Sequence, residues 1–152
     1  MRKLFLLRGA PGSGKSSFIA RHHLTPYAIS RDQIRLLLAD LTVYYQEDAD
    51  VLHQVIPRHV TVRTEQMVDH LVEHKMEHGE TVIVDGTHIV PSTIEHFKPW
   101  VDKYHYECFV VDLMQHNTLE NLLKRNQTRM HYDWVKPEVV KQMYRSYEAH
   151  PE

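Results

Sequence analysis

Cysteine is almost missing from this chain of 152 residues: Cys108 stands alone, so no internal disulfide can form and a reducing compartment is expected. Cys108 lies in an apolar run, where a buried and inert thiol is the expected state. Long apolar runs are also missing. None approaches the roughly 18 residues that a membrane span needs, and residues 4–7 are too short for the apolar region of a signal peptide. The expected address is cytoplasmic, away from membranes. Charge is nearly balanced at a formal −2, which excludes a general polycation and confines any nucleic-acid contact to a local basic stripe. Glycine is scarce, with five residues, three of them within residues 9–14. Linkers, repeats and low-complexity tracts are lacking, so residues 1–152 are expected to form a single domain.

What is present belongs to an ordinary globular protein, with 42% hydrophobic and 25% charged residues. Histidine is abundant at 13 residues, so anion binding would gain a pH dependence near their titration. Four short apolar runs, at residues 4–7, 27–29, 81–84 and 108–113, alternate with helical stretches. That is the pattern of a parallel sheet covered on both faces. Between the second and third runs, the apolar spacing over residues 50–78 predicts two helices separated by Pro57, with Gly79 ending the second. Pro91 is placed to open a helix running towards Tyr104, and Pro137 to open a last one through Met143 and Tyr147.

Gly9-Ala-Pro-Gly-Ser-Gly14-Lys15-Ser16 fits the pattern G-x-x-x-x-G-K-[ST] between a predicted strand and a predicted helix, the context that the pattern requires. Gly9, Gly12 and Gly14 let the backbone amides curl round phosphates, with Pro11, Ser13 and Ser17 completing the nucleotide grip. Lys15 is expected to reach the β- and γ-phosphates and the Ser16 hydroxyl to hold Mg²⁺. The run Thr81-Val-Ile-Val-Asp85 ends in an acid suited to the same ion.

An acceptor side follows from Ser30-Arg31-Asp32-Gln-Ile-Arg35, at the carboxyl end of the second strand, where parallel sheets hold ligands. Asp32 and Arg35 share a helix face. Asp32 suits a general base and Arg35 an acceptor phosphate, while Ser30 caps the helix with Asp32 in its first turn. Further on, Arg125 and Arg129 lie four apart before a segment, residues 130–134, that reads as a loop. Such a segment can serve as a lid that brings positive charge over a γ-phosphate, or simply form a solvated basic face. His70, His74 and His78 form a helical stripe read as solvated, since no carboxylate or cysteine completes a metal set. Trp100 is assigned to the core; Trp134, Tyr44 and Tyr45 are open to base stacking or to packing.

Taken together, the phosphate loop, Ser-Arg-Asp-Gln-Ile-Arg, Val-Asp-Gly-Thr-His and Lys-Arg-Asn-Gln-Thr-Arg resemble, in order and spacing, the kinase domain of the T-even bacteriophage 5′-polynucleotide kinase family within the P-loop kinases. The resemblance extends to Val139-Val-Lys-Gln-Met-Tyr-Arg and so covers nearly the whole chain. It implies a three-layer α/β fold with a four-stranded parallel sheet in the order 2-3-1-4 and an arginine-bearing lid. It implies transfer of the ATP γ-phosphate to the 5′-hydroxyl of single-stranded or end-exposed DNA or RNA, in a host cytoplasm if phage-encoded. Homo-oligomerisation is left open. By motif, Lys15, Asp32, Arg125 and Arg129 would be catalytic, with Arg125 and Arg129 also binding nucleotide. Asp32, Arg35, Asp85 and His88 would meet the acceptor, and Ser16 with Asp85 the Mg²⁺. The family commonly carries Asn near the third motif, where this chain has His88, so acceptor contacts there are expected to differ. The family's phosphatase domain is not expected: Asp48-Ala-Asp50 resembles its start, but Tyr45-Gln-Glu before it makes no buried strand. Two other functions fit the same parts, a P-loop kinase for a small-molecule hydroxyl such as a nucleoside or nucleotide, and a nucleotide-dependent switch.

Overall fold

The computed structural model describes residues 2–129 and 133–150. Strand β1, Lys3–Arg8, buries Leu4, Leu6 and Leu7 completely, because both of its faces are covered and three apolar side chains in four positions can all leave water. With β2 (Ala28–Ser30), β5 (Val82–Asp85) and β6 (Glu107–Asp112) it forms a parallel sheet in the order β2-β5-β1-β6. Counting only these strands, the order is the expected 2-3-1-4. The register sets Leu7 and Ser30 on either side of Asp85, so the carboxyl ends of three strands meet at one level.

Helix α1, Lys15–Arg21, follows the first strand, and α2, Arg31–Leu38, follows the second. Two strands lie outside the main sheet: β3 (Thr42–Gln46) and β4 (Val51–Val55) pair as an antiparallel hairpin. The sequence predicted a helix where β4 lies. Val51 and Val55 are four apart, a spacing that fits one helix face and, equally, one face of a strand; pairing with Thr42 to Gln46 decides for the strand. The stretch before Asp48 is likewise a strand, but an exposed one, with Val43 and Tyr45 facing solvent, as Leu52 does on β4.

Helix α3, Thr61–Glu77, buries Thr64, Val68, Val72 and Met76, one residue per turn, against Leu4, Leu6, Val82, Val84 and Phe97. Gly79, at φ +67°, takes the left-handed turn that ends it, and its amide donates to Met76 O at 3.1 Å. The helix expected from Pro91 to Tyr104 is two helices, α4 (Pro91–Glu95) and α5 (Lys98–Tyr104). Pro99 has no amide hydrogen and its ring would press on the carbonyl of Glu95, so the chain restarts at a new first turn. Trp100 packs against the core as expected.

The sheet is not covered everywhere. Along β6, residues 107–110 are exposed, and Cys108 with them, contrary to the buried thiol expected. This strand forms one of the two sheet edges, where no further strand is paired among the described residues. Atoms packed round the sulfur still push its thiol above the usual range. After α6 (Leu119–Gln127), the last helix, α7 (Pro137–Ala149), is pinned to the sheet by Arg8. The buried Arg8 guanidinium pairs with Asp112 at 3.3 Å, donates to Ile89 O at 2.7 Å and to His150 O, and lies over the Tyr147 ring. Among the described residues no helix is long and apolar enough to cross a membrane.

Candidate active site

The turn between β1 and α1 curls because its glycines permit it. A Cβ on Gly9 would sit 2.2 Å from Ser13 Oγ, and Gly12, at φ +88°, faces the Leu122 carbonyl 3.0 Å from where its Cβ would be. Gly14 caps α1 at φ +103°. The Gly9 amide donates to Thr87 O at 2.9 Å, which ties this loop to the one after β5. Lys15 folds back so that Nζ donates to Gly9 O at 2.6 Å. Enclosure pulls its pKa down, opposed by the charges of Asp85 and Asp32. An incoming phosphate would relieve that cost, since it supplies the opposite charge that burial withholds.

Asp85 ends β5 directly beneath this loop. Its Oδ1 is buried with no hydrogen-bond partner among the described residues, and burial raises its pKa against the pull of Lys15. The Ser16 hydroxyl is exposed. A hydroxyl and an unpartnered carboxylate oxygen that line the same cleft fit a hard divalent cation such as Mg²⁺, directly or through its waters.

Across the cleft, Ser30 caps α2 by accepting from the Gln33 amide at 3.3 Å, which sets Asp32 in the first turn and Arg35 one turn on. The expected helix cap is therefore formed. Asp32 Oδ1 lies 3.5 Å from Arg35 Nη1 and 3.4 Å from Nη1 of Arg58, an arginine that no sequence pattern had marked. Arg35 is buried, and its Nε lacks a partner among the described residues. Burial, then Arg58, lowers its pKa, so an anion would be welcome there. Arg31, named only as part of the motif, pairs with Glu65 at 2.8 Å and meets His88 Nε2 at 3.0 Å. His88 is 2% exposed, with Nδ1 on Leu7 O at 2.7 Å. Both of its ring nitrogens are engaged, so its reach towards a ligand runs through Arg31.

The two arginines of the expected lid differ. Arg125 Nη1 donates to Gly12 O at 3.0 Å and to Asn117 Oδ1 at 2.7 Å, bracing the phosphate loop. Arg129, just past α6, makes no side-chain hydrogen bond or ion pair among the described residues, and burial lowers its pKa against the charge of Asp133. Residues 130–132 of the expected loop lie outside the described residues. Trp134 is 4% exposed, its ring stacked on His53 at 3.5 Å and near Tyr44 at 5.8 Å. Its faces therefore pack against the hairpin. Remote from all this, Glu77 joins His74 and His78 within 4.8 Å, the carboxylate that the sequence reading had not counted; all three are exposed.

Pro11, Gly12, Gly14, Lys15, Ser16, Ser17, Asp32, Arg35, Asp85, His88, Arg125 and Arg129 line one cleft of about 1040 Å³. Gly9 and Ser13 form the inner turn of the loop behind it. The sequence reading passed over Arg58, Glu65 and Asn117. Only Asn117 had a local signal, since it directly precedes the helix cap Thr118.

Among solved structures, a chain of the Pnkp1/Rnl/Hen1 RNA repair complex superposes with a TM-score of 0.74 at 20% identity, over 98% of this chain and 45% of that one. A second Pnkp1/Rnl/Hen1 complex gives 0.60 at 25% identity, over 88% of this chain and 42% of the other. The protein thus spans less than half the length of these chains. No curated protein matches its sequence. The α/β fold with its four-stranded parallel sheet is consistent with that of a P-loop kinase. The family model for the AAA domain matches residues 4–150, and the protein belongs to that family.

Proposed function

We propose that the protein transfers the γ-phosphate of ATP to the 5′-hydroxyl of DNA or RNA. The observation that carries this reading is the placement of Asp32. Its Oδ1 is held by Arg35 and Arg58, which leaves Oδ2 to accept a proton, across the cleft from Lys15 and Asp85. A switch that only hydrolyses nucleotide has no need of such a base. The origin of both structural relatives in an RNA repair complex supports a nucleic-acid acceptor.

In this reading Lys15 leaves Gly9 O for the β- and γ-phosphates. Ser16 and Asp85 hold Mg²⁺, which when bound neutralises charge on the phosphate oxygens. Arg35, through its unpartnered Nε, takes the phosphate that follows the acceptor nucleoside. Asp32 then removes the hydroxyl proton as the new O–P bond forms, and the bond to the bridging oxygen of ADP breaks. Arg129 faces the charge that gathers on the phosphoryl group in transit, while Arg125 keeps the loop in shape. The test is incubation with γ-labelled ATP and 5′-hydroxyl RNA and DNA oligonucleotides, beside nucleosides and 3′-nucleotides. Labelled oligonucleotides support the reading; label on small hydroxyls alone overturns it.

A further inference from the structure

Side chains from two separate segments converge on Arg31, and none of the expected roles explains why. Arg31 opens α2; Glu65, on α3, accepts from its Nε at 2.8 Å. His88, after β5, accepts from its Nη1 at 3.0 Å, and Leu7, on β1, fixes His88 in turn through a 2.7 Å hydrogen bond from Nδ1. Nδ1 donates and Nε2 accepts only in one neutral tautomer, so these two bonds together specify the protonation state of the ring. Burial, with Arg31 next, lowers the pKa of His88 to about 4, which keeps that state.

Backbone features agree. His88 is held at φ +47°, a left-handed conformation that costs free energy outside glycine. The guanidinium of Arg31 fills the space that a side chain on Gly86 would need, with Nη1 2.1 Å and Cζ 3.2 Å from an ideal Cβ there. Gly86 does not have a positive φ, so room for Arg31 is what glycine provides. The held guanidinium lines the cleft, and its charge acts on Lys15 and Asp85 as well as on Arg35, so it lies between the phosphate loop and α2 rather than out in solvent.

We propose that Arg31 contacts the phosphoryl group in transit and that His88 is its positioning residue, acting through the Nε2 contact. This rests on the phosphotransfer reading above and adds a third guanidinium to it, beside Arg35 and Arg129. Two amide variants separate positioning from mere packing. The amide of Gln matches the reach of Nε2, whereas that of Asn matches Nδ1 and falls short of Arg31. His88→Gln is therefore expected within about threefold of wild-type kcat. His88→Asn should lose about tenfold to a hundredfold in kcat, the scale of a misplaced catalytic group, with KM for ATP little changed. In an Arg31→Ala background, or Arg31→Lys should that variant not fold, His88→Asn should cost nothing further.

The cycle is read twice, on oligonucleotide labelling and on phosphate release to water, with thermal melting of each variant alongside. Wild-type protein that releases phosphate but never labels an oligonucleotide defeats the proposed acceptor, and the cycle on phosphate release still decides on His88. Equal rates for the Gln and Asn variants, or losses that multiply in the double variant in both readouts, overturn the positioning role.

Discussion

The two ends of the cleft are built differently. The proposed donor end is built round one contiguous stretch, residues 9–17, which curls where glycine permits it and carries Lys15. The acceptor end draws Asp32 and Arg35 from α2, Arg58 from the segment after the hairpin, Glu65 from α3 and His88 from the loop after β5. A backbone grip depends on local conformation and is written locally; a side-chain clamp depends on how separate elements pack. In the proposed transfer, substitution should therefore be abrupt at the donor end and graded at the acceptor end, with Asp32, the proposed base, the exception.

The largest expected effect tests that exception. Asp32→Asn should lower kcat by roughly 10² to 10⁴ while nucleotide binding stays nearly intact, whereas Lys15→Ala should impair both. Equal behaviour of the two variants in nucleotide titrations would erase the distinction between the ends.

Next comes the pH dependence of stability. His88 titrates at about 4 in the folded protein and near 6.5 when unfolded, so between those values the unfolded chain binds the extra proton. Stability is full above pH 6.5 and falls as pH drops towards 4, by up to about 3 kcal/mol. Chemical denaturation across this range should show the loss, and His88→Gln should flatten it. A similar magnitude is expected from ligand linkage. Mg²⁺ with a nonhydrolysable nucleotide at about a hundred times its Kd should add about 2.7 kcal/mol, and acceptor oligonucleotide alone much less.

A smaller change belongs to Arg58→Ala. Because Arg35 still holds Asp32, the variant should raise the acceptor KM by about tenfold, about 1.4 kcal/mol, with the ATP KM unchanged. Steady-state kinetics with each substrate varied in turn would measure it. Smallest of all, Leu52→Ser on the outer face of the hairpin should shift stability by no more than about 0.5 kcal/mol. A larger loss in thermal melting would mean that the hairpin is held by more than its inner face.

The same division explains what could be read from the residues. The parallel sheet was legible because its strands appear as short apolar runs, whereas its order was implied only by the family resemblance and matches the order found. The loop was legible because G-x-x-x-x-G-K-[ST] is a local conformation spelled in residue types. Strand β4 was not, since Val51 and Val55 satisfy two periods at once. Arg58 was invisible for a related reason: a lone arginine beside a proline acquires meaning only when the hairpin turns the chain back over α2. Arg125 and Arg129 looked equivalent at four residues apart, and only the end of α6 turns one onto Gly12 and leaves the other facing the cleft.

The glycines, few as they are, carry a consequence for mutational scanning. Gly9, Gly12 and Gly14 shape the loop and Gly86 makes way for Arg31, so four of the five attend one cleft; only Gly79 serves a distant helix end. A scan that replaced each glycine with alanine and read nucleotide binding would outline the cleft from five positions.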